Sequence, residues 1–98
     1  MINKIEMIIP NYNVSIIGNK GIINNKEVPI TEDDIDSIAR DIRLWKSTYK
    51  GSHLVDTVHY IYLYDENDNK IGSFTFDGEY PDDFHNLVDT VRVLYDKS

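Results

Sequence analysis

Short runs of hydrophobic residues alternate with turn-forming residues over the first thirty positions of the chain. The runs are rich in isoleucine, and the residues between them are Gly, Asn and Pro, which favour tight turns. Gly18-Asn19-Lys20-Gly21 is the strongest of these turn signals, because Gly and Asn tolerate positive φ. The pattern predicts four short strands, at residues 2–9, 13–17, 21–24 and 27–30.

After Thr31 the apolar residues recur at helical spacing, which predicts a helix over residues 32–49. Thr31 is a favourable N-cap residue, and Asp34 three positions later makes an imperfect capping box. Arginines and lysines fill the second half, where the helix dipole favours cations, and Gly51 is a suitable stop. The predicted apolar stripe consists of Ile35, Ile38, Ala39, Ile42, Trp45 and Tyr49.

A second pair of strands and a second helix follow. Residues 58–64 and 70–76 are β-branched and aromatic, and the polar residues 65–69 between them predict a hairpin. Pro81 suits the first turn of a helix over residues 81–95. Its apolar stripe consists of Phe84, Leu87, Val88, Val91 and Leu94.

These elements give the order ββ(ββ)αββα in a single domain, residues 1–98. Because strands and helices are segregated, we expect an α+β fold with an antiparallel sheet and two helices packed on one face. On the strand 58–64, Ile61 and Leu63 should face the core, and the tyrosine side should be at least partly open. Isoleucine doublets at 8–9, 16–17 and 22–23 indicate that the second sheet face is covered by a partner or a second copy, or is faced with tyrosine.

The formal charge of −7 lies in the second half of the chain. Residues 56–98 hold ten carboxylates against three cationic side chains, whereas residues 1–30 sum to +1. This acidity argues against binding of nucleic acid or of anionic membranes. The chain has no cysteine and no apolar run of membrane-spanning or signal-peptide length, and we expect a cytoplasmic protein.

Catalytic and metal-binding motifs are not evident. The loop that begins at Asp65 matches the first calcium-ligand positions of an EF-hand but has Lys70 in place of the required Gly, so a hairpin turn is the better interpretation. The three histidines lack metal-site spacing, and no serine lies in a nucleophile elbow. We expect no catalytic residue, no metal and no cofactor.

A dense group of carboxylates and aromatic residues lies at the predicted strand-to-helix junction, residues 76–85. It is either a solvated turn with an ordinary helix start or an acidic docking site for a basic protein. Trp45 likewise is either a core residue or an interface anchor. The candidate partner-binding residues are Asp77, Glu79, Tyr80, Asp82 and Asp83, with Tyr60, Tyr62 and Tyr64 as aromatic anchors.

Two segments, Thr31–Trp45 (TEDDIDSIARDIRLW) and Asp77–Leu87 (DGEYPDDFHNL), resemble those of small acidic bacterial immunity proteins and phage-encoded inhibitors of host defence. The resemblance implies stoichiometric inhibition of a toxin enzyme, often a basic one, by obstruction of its active site. The alternative is a self-associating scaffold module that forms a homodimer through the second sheet face.

Overall fold

The computed structural model describes residues 1–97 as a seven-stranded sheet and two helices. The first four strands are β1 (Lys4–Ile9), β2 (Tyr12–Ile17), β3 (Lys20–Ile23) and β4 (Lys26–Pro29). The remaining elements are α1 (Glu32–Ile42), β5 (Thr48–Lys50), β6 (His59–Tyr64), β7 (Lys70–Asp77) and α2 (Phe84–Asp96).

The strands lie in the order β4-β3-β2-β1-β6-β7-β5. Every neighbouring pair is antiparallel except β5 and β7, which run parallel. The hairpin β3–β4 turns through Asn24 and Asn25, both at positive φ, as a two-residue turn with matching twist requires. The expectation of a purely antiparallel sheet is therefore correct for all pairs but one.

Helix α1 begins where the sequence predicts and ends seven residues early. Thr31 and Asp34 form a complete capping box, because each side chain bonds the other's backbone N–H. The helix stops at Ile42, and the backbone N–H of Trp45 bonds the carbonyl of Ile42 in the final turn. The predicted extension to residue 49 is wrong, since residues 48–50 form β5.

The element order is thus ββββαβββα. Strand β5 has only three residues, too few for its alternation to be recognised in the sequence, and it is held by pairing with the end of β7. Helix α2 begins at Phe84, three residues later than predicted, after a turn over residues 81–83. The other six strands begin and end within two residues of their predicted bounds.

The core lies on one side of the sheet. Alternate strand residues, such as Ile5, Met7, Ile16 and Ile61, are buried together with Ile38, Ile42, Leu87, Val91 and Leu94 of the helices. Four further predicted core residues, Ile35, Trp45, Phe84 and Val88, are partly buried against this cluster. Both helices therefore pack on the face that buries these strand residues, and α2 also contacts α1 and β4.

Candidate functional site

The opposite face of the sheet is not covered by any element of residues 1–97. It carries the alternate side chains of the strands, and Tyr60, Tyr62 and Tyr64 form a row along β6. We call this surface the tyrosine face. Ile61 and Leu63 of the same strand are buried, whereas the three tyrosines are only partly buried, so the predicted orientation of β6 is confirmed.

The tyrosine rings are ordered by contacts with one another and with lysines. The rings of Tyr60 and Tyr62 stack at 4.4 Å between centroids. Lys70 Nζ lies 3.9 Å from the centroid of the Tyr62 ring, and Lys4 Nζ lies 4.9 Å from that of Tyr64. Such cation–π contacts hold the rings in place.

Isoleucines extend the tyrosine face toward β3. Ile8 lies directly across from Tyr60, and Ile17 and Ile22 are 57% and 48% exposed. A shallow hollow of about 250 Å³ lies among these residues, bordered by Glu6, Ile8, Ser15, Ile22 and Tyr60. Its size suits a single side chain of a partner.

Both signs of charge occur on the tyrosine face. Four lysines (Lys4, Lys20, Lys50 and Lys70) and three carboxylates (Glu6, Glu27 and Asp77) point outward from its strands. Lys4 and Glu6 form an ion pair at 3.7 Å. Partial removal from water and the neighbouring Glu6 carboxylate raise the pKa of Tyr64 above its ordinary value. Because lysines and carboxylates nearly balance on this face, the net negative charge of the chain comes from other surfaces.

The helices and the β6–β7 turn hold most of the acidic charge. Residues 32–43 carry five carboxylates against two arginines, and residues 82–97 carry four against Arg92 and Lys97. The turn adds Asp65, Glu66 and Asp68. The structure thus places most of the acidic side chains on the helical side and at the β6–β7 turn, whereas Glu6 lies beside the tyrosine row, across from Tyr62.

The strand-to-helix junction turns from the tyrosine face to the helical side at Gly78, which has φ +82°. Gly51 lies so close that a Cβ there would come within 2.5 Å of the Gly78 carbonyl oxygen. Asp77 lies before this turn, on the tyrosine face, opposite Lys50 in the strand pairing. The other junction residues lie after it.

Tyr80, one of the candidate contact residues, packs inward against the aromatic cluster. Its ring lies 5.6 Å from that of Phe76 and 4.6 Å from that of Phe84, and its hydroxyl bonds His59 Nδ1. Burial raises the pKa of Tyr80 and lowers the pKa of His59. Each group therefore remains neutral over a wider pH range than it would in water.

Asp83 is also engaged within the fold. Its carboxylate accepts a hydrogen bond of 2.8 Å from Trp45 Nε1, and the Trp45 ring packs against Phe76 and Phe84. Trp45 is therefore mainly a packing residue. Glu79 and Asp82 are exposed beside this aromatic cluster.

The eight predicted partner-binding residues thus form separate groups and not one patch. Tyr60, Tyr62, Tyr64 and Asp77 share the tyrosine face; Tyr80 and Asp83 hold the junction together; and Glu79 and Asp82 are exposed near the start of α2. The sequence analysis missed the lysines around the tyrosines, and it used the isoleucine doublets only as a sign of an apolar second sheet face, without naming isoleucines as candidate contact residues. The doublets were the signal for these isoleucines, since one member of each doublet must point outward.

The acidic β6–β7 turn is organised by its own side chains. The Asp65 carboxylate accepts hydrogen bonds from the backbone N–H groups of Asn67 and Asn69, and the bond from Asn69 is the main cause that lowers the pKa of Asp65. Within the described residues, no group of three or more metal-ligating side chains is found. Neither helix within residues 1–97 is long and apolar enough to cross a membrane.

Comparisons of the chain with protein-family models, with curated proteins and with solved structures found no match.

Proposed function

We propose that this chain is a protein-binding inhibitor of the bacterial immunity type, which neutralises a toxin in the cytoplasm by forming a stoichiometric complex. The observation that carries this proposal is the uncovered tyrosine face, with three aligned tyrosines on a central strand. In this proposal the chain acts by binding and has no reaction of its own.

The composition of the tyrosine face suits a protein interface. Tyrosine is enriched in interfaces because it adds a large apolar area and a polar edge at low cost in side-chain entropy. Here β6 and β1 lie in the interior of the sheet order, so the tyrosines and Ile8 stand on a rigid support. A partner side chain that enters the hollow beside Tyr60 would be surrounded by ordered groups.

Long-range charge supports a basic partner. The net charge of −7 attracts a positively charged protein before contact, and this attraction weakens as salt screens it. The tyrosine face itself is nearly balanced in charge, so it contributes packing and hydrogen bonds at short range. In this proposal the acidic side chains speed the encounter, those of the strand-to-helix junction most of all, and the tyrosine face holds the complex.

The test is co-expression with a candidate toxin, beginning with the product of the gene adjacent to this one. Wild-type chain should restore growth and co-purify in a 1:1 ratio, and Tyr60→Ser/Tyr62→Ser should do neither. Val93→Ser is the matched control, because Val93 is 58% exposed on α2, on the other side of the sheet. Protection by the tyrosine double variant equal to wild type would overturn the proposal.

A second candidate function is a scaffold module that pairs two copies through the tyrosine face. The exposed isoleucines at positions 17 and 22 favour it, because they extend the apolar part of that face beyond β6. Light scattering of the purified chain separates the two functions. A dimer that Tyr62→Ser dissociates would support the scaffold, and a monomer at all concentrations would exclude it.

A further inference from the structure

The two edges of the sheet differ in the backbone groups that they present to solvent. At the β4 edge, the two-residue turn makes Ile23 and Lys26 a hydrogen-bonded pair. The backbone groups of Glu27 and Pro29 therefore point outward. Pro29 has no N–H, and Lys26 Nζ bonds the carbonyl of Tyr95 in α2, which packs beside this strand. The β4 edge is thus poorly suited to pairing with another strand.

The opposite edge is only partly covered. Strand β5 pairs with residues 75–77 of β7, and the backbone N–H of Thr75 bonds the carbonyl of Ser47 just before β5. Residues 43–46, which link α1 to β5, do not pair with β7. On this side, residues 70–74 of β7 therefore have no neighbouring strand within residues 1–97. This uncovered edge, which we call the β7 gap, is about 17 Å long.

Ser73 presents its backbone to solvent in the β7 gap. The N–H and C=O groups of every second strand residue point to the same edge, so those of Ser73 point to the side where the Thr75 N–H bonds Ser47. Outside the sheet pairing, no bond to the Ser73 backbone occurs within residues 1–97, and Ser73 is exposed. The β7 gap thus offers a donor and an acceptor to a strand added at this edge.

The side chains beside the β7 gap define what an added strand would contain. On the core side, the rings of Trp45 and Phe74 are partly buried and meet edge to face at 6.4 Å between centroids. The Leu63 side chain leans across Gly72, where a Cβ would come within 2.9 Å of it. The other side carries Ser73. Because strand side chains alternate between faces, a matching strand alternates apolar residues, toward the core side, with polar ones.

The acidic β6–β7 turn lies at one end of the β7 gap. Asp65 is engaged in bonds within the turn, whereas Glu66 and Asp68 are exposed. Lys70, the nearest cation in the sequence, lies over the ring of Tyr62. A strand that passes this end is therefore matched by Lys or Arg side chains.

We propose that the β7 gap receives an extended strand of a basic protein partner, with alternate apolar residues toward Phe74 and with Lys or Arg beside the β6–β7 turn. Such a strand would lie in line with β5 and border the tyrosine face, since Ser73 is directly across from Tyr62. The inference rests on the proposed function in that the partner is a basic protein, and it adds the segment that the partner contributes. Backbone bonds would supply affinity and the alternating side chains would supply specificity.

Nuclear magnetic resonance of the full chain tests the β7 gap without an identified partner. The probe is a capped peptide of about seven alternating threonines and valines followed by two lysines. Added to ~5 mM, because a peptide that must become ordered binds weakly, it should shift the amide signals of residues 70–74 and slow hydrogen exchange of the Ser73 N–H. The same peptide with every internal amide N-methylated should do neither, and glutamates in place of the lysines should weaken binding.

Ser73→Pro and Glu27→Pro are matched variants, because each removes one outward N–H from an edge strand and keeps the bonds inside the sheet. Ser73→Pro should weaken peptide binding at least about tenfold, and Glu27→Pro should bind like wild type. Equal binding by both variants would overturn the proposal. If Ser73→Pro does not fold, the comparison of the plain and methylated peptides on wild type decides.

Two further results would also overturn the proposal. One is the absence of shifts at residues 70–74, or equal shifts with the methylated peptide. The other is slow exchange of the Ser73 N–H in concentrated protein alone, which would mean that a second copy occupies the β7 gap. These readouts do not involve a toxin, so failure of the tyrosine double variant to affect protection would overturn the proposed function and leave the peptide result standing.

Discussion

At the scale of single residues, two polar groups of the junction, those of Tyr80 and Asp83, form hydrogen bonds within the fold. The bond from Trp45 Nε1 to Asp83 and the bond between Tyr80 and His59 Nδ1 satisfy polar atoms beside an aromatic cluster. Without these bonds, the indole and phenol groups would have to be exposed or left unpaired. Tyr80 and Asp83 are therefore constrained by packing, and Glu79 and Asp82 are free to contact other molecules.

The pairing of His59 with Tyr80 predicts a pH-dependent stability. Burial lowers the pKa of His59 below 6.5 in the folded protein, so folding favours the neutral imidazole. As pH falls through about 6.5, the unfolded chain takes up this proton first, and the contribution to stability is lost toward the lower folded pKa.

Urea unfolding at about pH 7.5 and about pH 5.5 checks this sign. Wild type should lose more stability on acidification than His59→Gln, whose side chain does not titrate. His53→Gln, at an exposed position, is the control and should follow wild type. Equal pH dependence of wild type and His59→Gln would show that burial of His59 has no measurable effect.

At the scale of elements, capping and turn-forming residues predicted where most helices and strands begin and where the chain turns, but they did not predict the end of α1. The capping residues Thr31 and Asp34 identified its first turn, since capping acts within a few residues of sequence. The periodic apolar pattern continued to Trp45 and Tyr49 and suggested a longer helix. Those two side chains do pack inward, but from a loop and from β5, because Tyr49 stacks on Phe76 of the neighbouring strand. A three-residue strand depends on that distant pairing, and no local pattern could predict it.

Helix α2 provides a direct test of how the layers pack. Leu87 is fully buried, and Val93 on the same helix is 58% exposed. Leu87→Ala should lower the free energy of unfolding by about 2–5 kcal/mol, since it removes core contacts and leaves a cavity. Val93→Ala should change it by only about 0.5 kcal/mol. Similar small effects of both substitutions in urea unfolding would mean that α2 does not cover the sheet.

At the scale of the whole molecule, the fold separates two properties that lie together in the sequence. Residues 56–98 hold both the tyrosines of β6 and an excess of carboxylates. The alternation along β6 places the tyrosines on one side of the sheet, and α2 carries its carboxylates to the other. The tyrosine side was predictable because the period of a strand is two. The separation from the acidic junction was not, because it depends on the turn at Gly78 and on where α2 packs.

Neutralising the junction tests the role of charge in binding. With an identified partner, Asp77→Asn/Glu79→Gln/Asp82→Asn/Asp83→Asn should lower the association rate and its dependence on salt. The fold should persist, because an asparagine at position 83 still accepts the bond from Trp45.

A matched control removes four carboxylates elsewhere: Glu66→Gln/Asp68→Asn/Asp89→Asn/Asp96→Asn. Stopped-flow association at several salt concentrations should show a larger loss for the junction variant. Equal reductions of the association rate in both variants would mean that only net charge matters. If neither variant associated more slowly, the junction would be an ordinary solvated turn with no role in binding.

The most direct test of the tyrosine face is the affinity of the identified partner, measured by titration calorimetry. Tyr60→Ser/Tyr62→Ser should weaken binding at least about thirtyfold, which is the effect of losing a true hot spot of roughly 2 kcal/mol. Val93→Ser on the helical side should bind like wild type. If the tyrosine variant, folded by circular dichroism, bound with the affinity of wild type, the tyrosine face would not be the binding surface.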